Sequence, residues 1–295
     1  MKKILFFSLI AFLFLIFLNK NKFKPIFYNL KKSYLSHKFS SCYKNTNSIS
    51  KEKIIFVAGH TYGHPEDNNR STYPKFISYL NEKNIKSEKI ILAGDIVQKT
   101  NLKNLSTVKK ELNNFFNNIY VAPGNHDVKL GSTDERKVFL QVFKKNFNSF
   151  LYKDNLFFIL DTTINPGNIT EDQLKLIKNE LSKNKKLNSI FIITHHVIWE
   201  NYVKQNVQSA VKKNFFLNNN FGQLKKILLT HKNYKSIIFI AGDVSVTNKT
   251  TKLFCEKNEN FYYLMTGMGS KNFDNYLKIS ISEQGKSVSI VPVFF

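Results

Sequence analysis

Short apolar runs punctuate this chain, and most of them stop at a glycine or at a residue able to bind a cation. Residues 54–58, 89–93, 119–122, 156–160, 189–194 and 236–241 are rich in Ile, Val, Leu and Phe and too short for helices, so the pattern predicts buried strands. Apolar residues at helical spacing predict amphipathic helices over 73–83, 107–116, 133–146, 170–184 and 221–231. Thr170 and Gln173 form a capping-box pattern after the Pro166-Gly167 turn, which places a helix start there. Strand and helix alternate, and that order predicts an α/β fold. Three further runs, 261–266, 276–282 and 287–292, extend the strand set and allow a second sheet.

A different pattern opens the chain. Residues 4–18 are almost continuously apolar, with Lys2 and Lys3 before them and Lys20, Lys22 and Lys24 after them, which reads as an export signal or a signal-anchor. As a helix the run reaches roughly 22 Å against a hydrocarbon core of about 30 Å, so length leaves both readings open. No small-residue cleavage pattern follows, which favours an uncleaved anchor and a membrane-anchored or exported protein. Basic residues on both sides leave its orientation open. The organisation expected is a leader or anchor over 1–18, a stem without periodicity over 19–52, and one large domain over 53–295. The chain's 295 residues, 42% of them hydrophobic, suffice for a full core in that domain.

The net charge of +23 attracts polyanions in general. Lysine is spread through nearly every segment, in doublets such as Lys144-Lys145 and Lys225-Lys226, which reads as solvated helix faces and leaves nucleic acid a weakly supported partner. Cys42 and Cys255 are the only cysteines, one in the stem and one in the domain, so neither a disulfide framework nor a thiolate metal site is expected. Nothing matches a Walker loop, a dinucleotide fingerprint or a Cys-x-x-Cys pair.

Four strand ends carry candidate chemistry: Ala93-Gly94-Asp95, Gly124-Asn125-His126-Asp127, Thr194-His195-His196 and Ala241-Gly242-Asp243. A glycine there lets the backbone turn sharply while the next side chain enters the crevice beyond the sheet edge. Asp95 offers a carboxylate able to bridge two cations, and Asn125 an amide oxygen that binds one without adding charge. His126 beside Asp127 reads as a proton-transfer pair, the carboxylate fixing the imidazole's tautomer.

These segments, in this order and spacing, resemble the calcineurin-like metallophosphoesterase superfamily, with Gly124-Asn125-His126-Asp127 the most specific element and residues 53–293 the span covered. The resemblance implies a four-layer α/β sandwich of two mainly mixed β-sheets flanked by helices, here preceded by the hydrophobic N-terminal helix. It also implies divalent metal ions, two of them in the family, with ligand types that serve Mn, Fe, Zn and Mg alike, and a phosphate monoester or diester as substrate. Carried over, the metal ligands are His60, Asp95, Asn125, His195 and Asp243, and the catalytic residues are His126 and Asp127.

Two motifs depart from the family pattern. Where the family has Asp-x-His this chain has Gly59-His60, and where it has Gly-His-x-His this chain has Gly242-Asp243-Val244-Ser245. The reading favoured is that His and Asp have traded places between the two motifs, keeping a dinuclear cage; a mononuclear site and a decayed site are the rivals. His64 is a possible supplementary ligand, His196 orients its neighbour or faces substrate, and Asp161 is a structural hydrogen-bonding residue. Residues 197–220, with Trp199, either shape substrate entry or form an ordinary surface helix pair. A membrane-tethered binding or scaffold protein that kept only the fold is the alternative function.

Overall fold

A computed structural model describes residues 20–43, 52–199, 220–243, 253–269 and 273–295. The apolar run at 4–18 lies outside the described residues, as do Ser245 and residues 200–219. Among the described residues no helix is long and apolar enough to cross a membrane.

Helix α1 spans Lys20–Cys42, so the segment expected to be an irregular stem is helical for most of its length. The compact unit that follows runs from Phe39 to Phe295. In it β1 (Glu52–Ala58), β2 (Ser87–Leu92) and β3 (Phe116–Val121) lie parallel, joined through α2 (Pro74–Glu82) and α3 (Leu102–Leu112). Antiparallel β10 (Asn275–Ser282) and β11 (Val288–Phe294) complete a five-stranded sheet in the order β11-β10-β1-β2-β3. The second sheet holds β4 (Asn148–Tyr152), β5 (Asn155–Ile159), β6 (Ser189–Thr194), β7 (Ser236–Ala241), β8 (Phe254–Asn258) and β9 (Phe261–Met265), in the order β4-β5-β6-β7-β9-β8. Its central strands β5, β6, β7 and β9 are parallel. Helices α4 (Thr133–Phe143), α5 (Glu171–Lys183) and α6 (Phe221–Thr230) complete the set.

Side-chain alternation divides the core into layers. Phe56, Ala58, Ile90 and Leu92 pack with Phe76 and Leu80 of α2, Leu105 and Val108 of α3, and Phe139 of α4. Phe158, Ile190, Ile192 and Phe239 pack with Leu174 and Ile177 of α5 and Leu224 of α6. The intervening Val57, Ile91, Phe157, Phe191 and Ile238 are fully buried on the opposite faces, where the sheets meet. A ring stack crosses that junction: Tyr120 of β3 lies 4.5 Å from Phe150 of β4, which stacks on Phe157 at 4.7 Å, and Phe157 on Phe191 at 4.3 Å. The result is the expected α/β sandwich of two mixed sheets flanked by helices, and each buried aromatic contributes about 1.5–3 kcal/mol through burial.

The structure departs from the sequence expectations at further places. Strands β4 and β8 had no predicted counterpart; both are sheet edges with mostly half-exposed residues, and so lack the apolar run that marks a central strand. Helix α3 begins earlier than expected because the Asn101 side chain caps it, accepting from the Asn104 amide at 2.8 Å. Helix α5 starts after Thr170 as expected, but the capping box does not form. Gln173 is buried, and it clasps the main chain of Asp161 instead, accepting from its N–H at 2.8 Å and donating to its carbonyl at 2.9 Å. The two cysteines, expected to stand apart, form the disulfide Cys42–Cys255 with Cα atoms 6.0 Å apart. The helical continuation into Cys42 makes this possible, since it brings that residue against β8 and Tyr43 against Tyr262 of β9, ring centroids 4.9 Å apart.

Candidate metal centre

Strand register delivers the site. Ala58 pairs with Leu92 and Leu92 with Val121, while Thr194 pairs with Ala241, so parallel strands in each sheet end level with one another. The residues just beyond those ends are His60, Asp95, Asn125, His195 and Asp243. Gly94 has φ +76°, and a Cβ there would collide with the His195 ring; a Cβ at Gly124 would strike the Asp95 carboxylate. The glycines therefore let the two sheets' loops close on a common point. His60 and Asp95 both sit in the left-handed region at φ 54°, at about 1–3 kcal/mol each, and the backbone bond from His60 N–H to the Gly94 carbonyl (2.9 Å) holds the two turns together.

Asp95 lies at the centre, and its two oxygens face different neighbours. Oδ1 is 3.4 Å from His195 Nε2, and Oδ2 is 3.7 Å from His60 Nε2. His195 Nε2 is also 3.2 Å from Asn125 Oδ1. One donor atom of each of His195, His196 and Asp243 lies within 4.8 Å of the others. Donor atoms that share a cation at about 2.0–2.2 Å stand roughly 3–3.5 Å from one another; the 3.4 and 3.2 Å separations at His195 match that spacing, and the 3.7 Å separation at His60 is slightly longer.

The hydrogen bonding of His195 tests whether these residues suit a cation. Its Nδ1 lies 3.0 Å from the Ala93 carbonyl, which only accepts, so Nδ1 carries a hydrogen. Nε2 is then directed at two oxygens, from Asn125 and Asp95, a surrounding that suits a positive centre. Burial disfavours a charged His195, but Asp95, Asp243 and Asp127 together hold its pKa above the ordinary histidine value. Burial likewise disfavours a charged Asp95, and His195, His60 and His126 outweigh it and hold that carboxyl below the usual range. The donor set, two oxygens of one carboxylate between imidazoles with an amide oxygen beside them, fits divalent cations.

The sequence matches the calcineurin-like phosphoesterase family over residues 60–232, more than half of the 295-residue chain. The chain belongs to that family. No curated protein matches it. Among solved structures the chain is similar to GAP50, the anchor in the inner membrane complex of Plasmodium, at 10% identity and a TM-score of 0.45, over 83% of this chain and 84% of that one.

Within this chain Asp127 does not do what its place beside His126 suggested. Its carboxylate is fully buried and accepts from the backbone amides of Ile96 (2.8 Å), Val97 (3.1 Å) and Gly124 (2.8 Å), tying the loop after β2 to the loop after β3. The His126 ring is held by a main-chain group, Nδ1 lying 3.0 Å from the Gln98 carbonyl. That contact fixes the tautomer and leaves Nε2 to act. The side chains of neighbouring residues in a tight turn diverge, so adjacency in sequence does not make a pair.

Other residues fall into place around this centre. His64 accepts from the Glu66 amide at 3.2 Å and caps a short 3-10 turn, Pro65–Asp67. Asp161 is structural: it is bound by the Arg136 guanidinium, by Asn146 Nδ2 at 3.0 Å and by the amide and hydroxyl of Thr163 at 2.7 and 2.6 Å. His196 bonds Thr162 Oγ1 at 2.7 Å, and burial together with His195 pushes its pKa down to about 3, the neutral form suited to a ligand. Its grouping with His195 and Asp243 is a placement the sequence reading did not give it. Trp199 is core rather than entrance, packed between Phe239 and Tyr263 at 5.9 and 5.8 Å.

Sequence reasoning missed Tyr62 and Gln98. The Tyr62 ring lies between His60 (4.4 Å) and His126 (5.3 Å), and burial with the nearby Asp95, Asp127 and Asp243 raises its pKa, so it stays neutral. Only its position two residues beyond His60 marked it. Gln98 acts through its carbonyl, which no side-chain pattern reports.

Proposed function

We propose that this chain is a metal-dependent hydrolase of phosphate monoesters or diesters. The observation that carries the reading is Asp95, whose two oxygens face His195 and His60 separately, as a carboxylate shared between two cation positions does. Asn125, His195 and Asp243 belong to one position, and His60 to the other. His60 remains in a first motif that lacks the family's aspartate, and Asp243 stands where the family has histidine, which supports an exchange of ligand types between the first and last motifs. When bound, the cations supply a water of lowered pKa and neutralise charge on the phosphate oxygens. His126, oriented at Nδ1 by the Gln98 carbonyl, gives the Nε2 proton of its imidazolium form to the departing alkoxide. Asp127 holds the loops that position His126 and Asp95 and does not meet the substrate.

Metal analysis and an aryl-phosphate assay with added Mn²⁺ test this. His126→Ala should lower turnover roughly a hundredfold while metal content is spared, and Asp95→Ala should lower both. Wild-type protein that stays metal-free and inactive would instead support a scaffold on the phosphoesterase fold.

We infer also that the domain works in an oxidising compartment, beside a membrane. The Cys42–Cys255 disulfide supports the first part, because such bonds persist outside the reducing cytosol. The apolar run at 4–18 supports the second, as do Ile26, Leu30 and Tyr34, which recur every four residues along α1 and keep 52–64% of their surface exposed. A shift in gel mobility on reduction, for protein taken from its native membrane fraction, checks both; a cytosolic, fully reduced protein contradicts them.

A further inference from the structure

A cleft of about 1140 Å³ opens beside the site, between the loop after β1 and the start of α3. Its lining includes Arg70, Lys99 and Lys103 and no carboxylate. Among the described residues none of these three cations forms an ion pair, although the chain forms such pairs at Lys75, Arg136 and Lys278.

Arginine use sharpens the point. The chain has 44 basic residues, and Arg70 and Arg136 are its only arginines. A planar guanidinium differs from an ammonium in offering a fork that matches carboxylate or phosphate. Arg136 uses that fork on Asp161 and Thr163. Arg70 has no such protein partner among the described residues and faces the cleft.

The cleft is also built. Its side-chain amides fasten the walls: Asn69 Nδ2 donates to the Tyr62 carbonyl at 2.9 Å, Gln98 Nε2 to the Pro65 carbonyl at 2.7 Å, and Asn104 Nδ2 to the Lys99 carbonyl at 2.9 Å. Gln98 is the shared element, since it lines the cleft while its carbonyl holds His126. Gln98 thus joins the wall that carries Arg70, Lys99 and Lys103 to the His126 side of the metal centre.

We propose that this cleft is a second anion subsite, and that the substrate is a compact molecule whose leaving group carries at least one further phosphate. The assignment of a leaving-group side rests on the hydrolase reading above. The subsite itself rests on the cleft. Its volume, about 1140 Å³, lies just above the ordinary range for small-molecule pockets.

Calorimetry with inorganic tripolyphosphate, in metal-free buffer at physiological salt, tests the subsite without requiring activity. The triple variant Arg70→Gln, Lys99→Gln, Lys103→Gln should weaken binding by at least roughly tenfold. A control triple, Lys178→Gln, Lys185→Gln, Lys232→Gln, removes the same charge from a different cleft and should leave binding unchanged. Equal loss in both triples, or wild-type protein that does not bind tripolyphosphate, overturns the proposal. Aryl-phosphate turnover measured in parallel separates the two readings: binding that depends on Arg70 in a protein without hydrolysis sinks the hydrolase and keeps the subsite. Hydrolysis without such binding does the reverse.

Discussion

Asp95 and Asp161 both follow a buried strand, β2 in one sheet and β5 in the other, and both are cut off from solvent. Their surroundings differ in kind. Asp161 is met by donors from the protein on every side: a guanidinium, a side-chain amide, a backbone N–H and a hydroxyl. Asp95 has one backbone donor, the His126 amide at 3.1 Å, and otherwise faces imidazole nitrogens at 3.4 and 3.7 Å. A carboxylate whose hydrogen-bonding capacity the fold fills is a fastening. One that the fold leaves among other donor atoms keeps its capacity for a cation.

Removing each carboxylate is the sharpest way to break this contrast. Asp95→Ala should lower aryl-phosphate turnover roughly a thousandfold, the several kcal/mol that bound metal would supply, while the urea midpoint moves little. Asp161→Ala should do the opposite, leaving the partly exposed Arg136 and the donors on Asn146 and Thr163 without their acceptor and lowering stability by about 1–3 kcal/mol with metal content intact. Similar losses of stability in the two variants would erase the distinction.

A smaller change probes the spacing alone. Gly124→Ala places a methyl group against the Asp95 carboxylate and 3.0 Å from His195 Cε1. Metal affinity should fall roughly 10–100-fold, as it does when groups supporting a ligand are disturbed, and stability by about 1–3 kcal/mol. Unchanged metal affinity would show that the glycine serves only the turn.

The smallest effect belongs to a partly exposed carboxylate. Glu52 donates no geometry to the site and pairs with Lys278 Nζ at 2.7 Å. Partial burial raises its pKa, but the hydrogen bonds from Lys278 and Ser280 more than reverse this, so the folded value lies below the ordinary 4.5. The pair's stabilisation is therefore present above pH 4.5 and lost as pH falls through the lower folded value. Glu52→Gln should flatten that acid-side slope by less than about 1 kcal/mol, read from urea unfolding at pH 7 and pH 3.

Much of the site was legible because strand ends are marked by composition. An apolar run that stops at Gly94, Gly124 or Gly242 announces both a buried strand and a sharp turn, and the residue after the glycine is the one presented. His64 and Trp199 show the limit of this reasoning. A histidine near a strand end is a ligand or a turn cap depending on a few degrees of backbone, and an aromatic after the histidine strand is entrance or core depending on what lies beneath it.

Local chemistry along the chain therefore determined the central strands, most of the helices, the α/β class and the residues presented at the strand tips, because burial and turn formation act over a few neighbours. Tertiary structure alone decided three things: that Asp127 holds backbone while Gln98 holds His126, that Cys42 meets Cys255, and that Arg70, Lys99 and Lys103 share a cleft. Each depends on which distant segments arrive at the same point, and no periodicity in the chain encodes that.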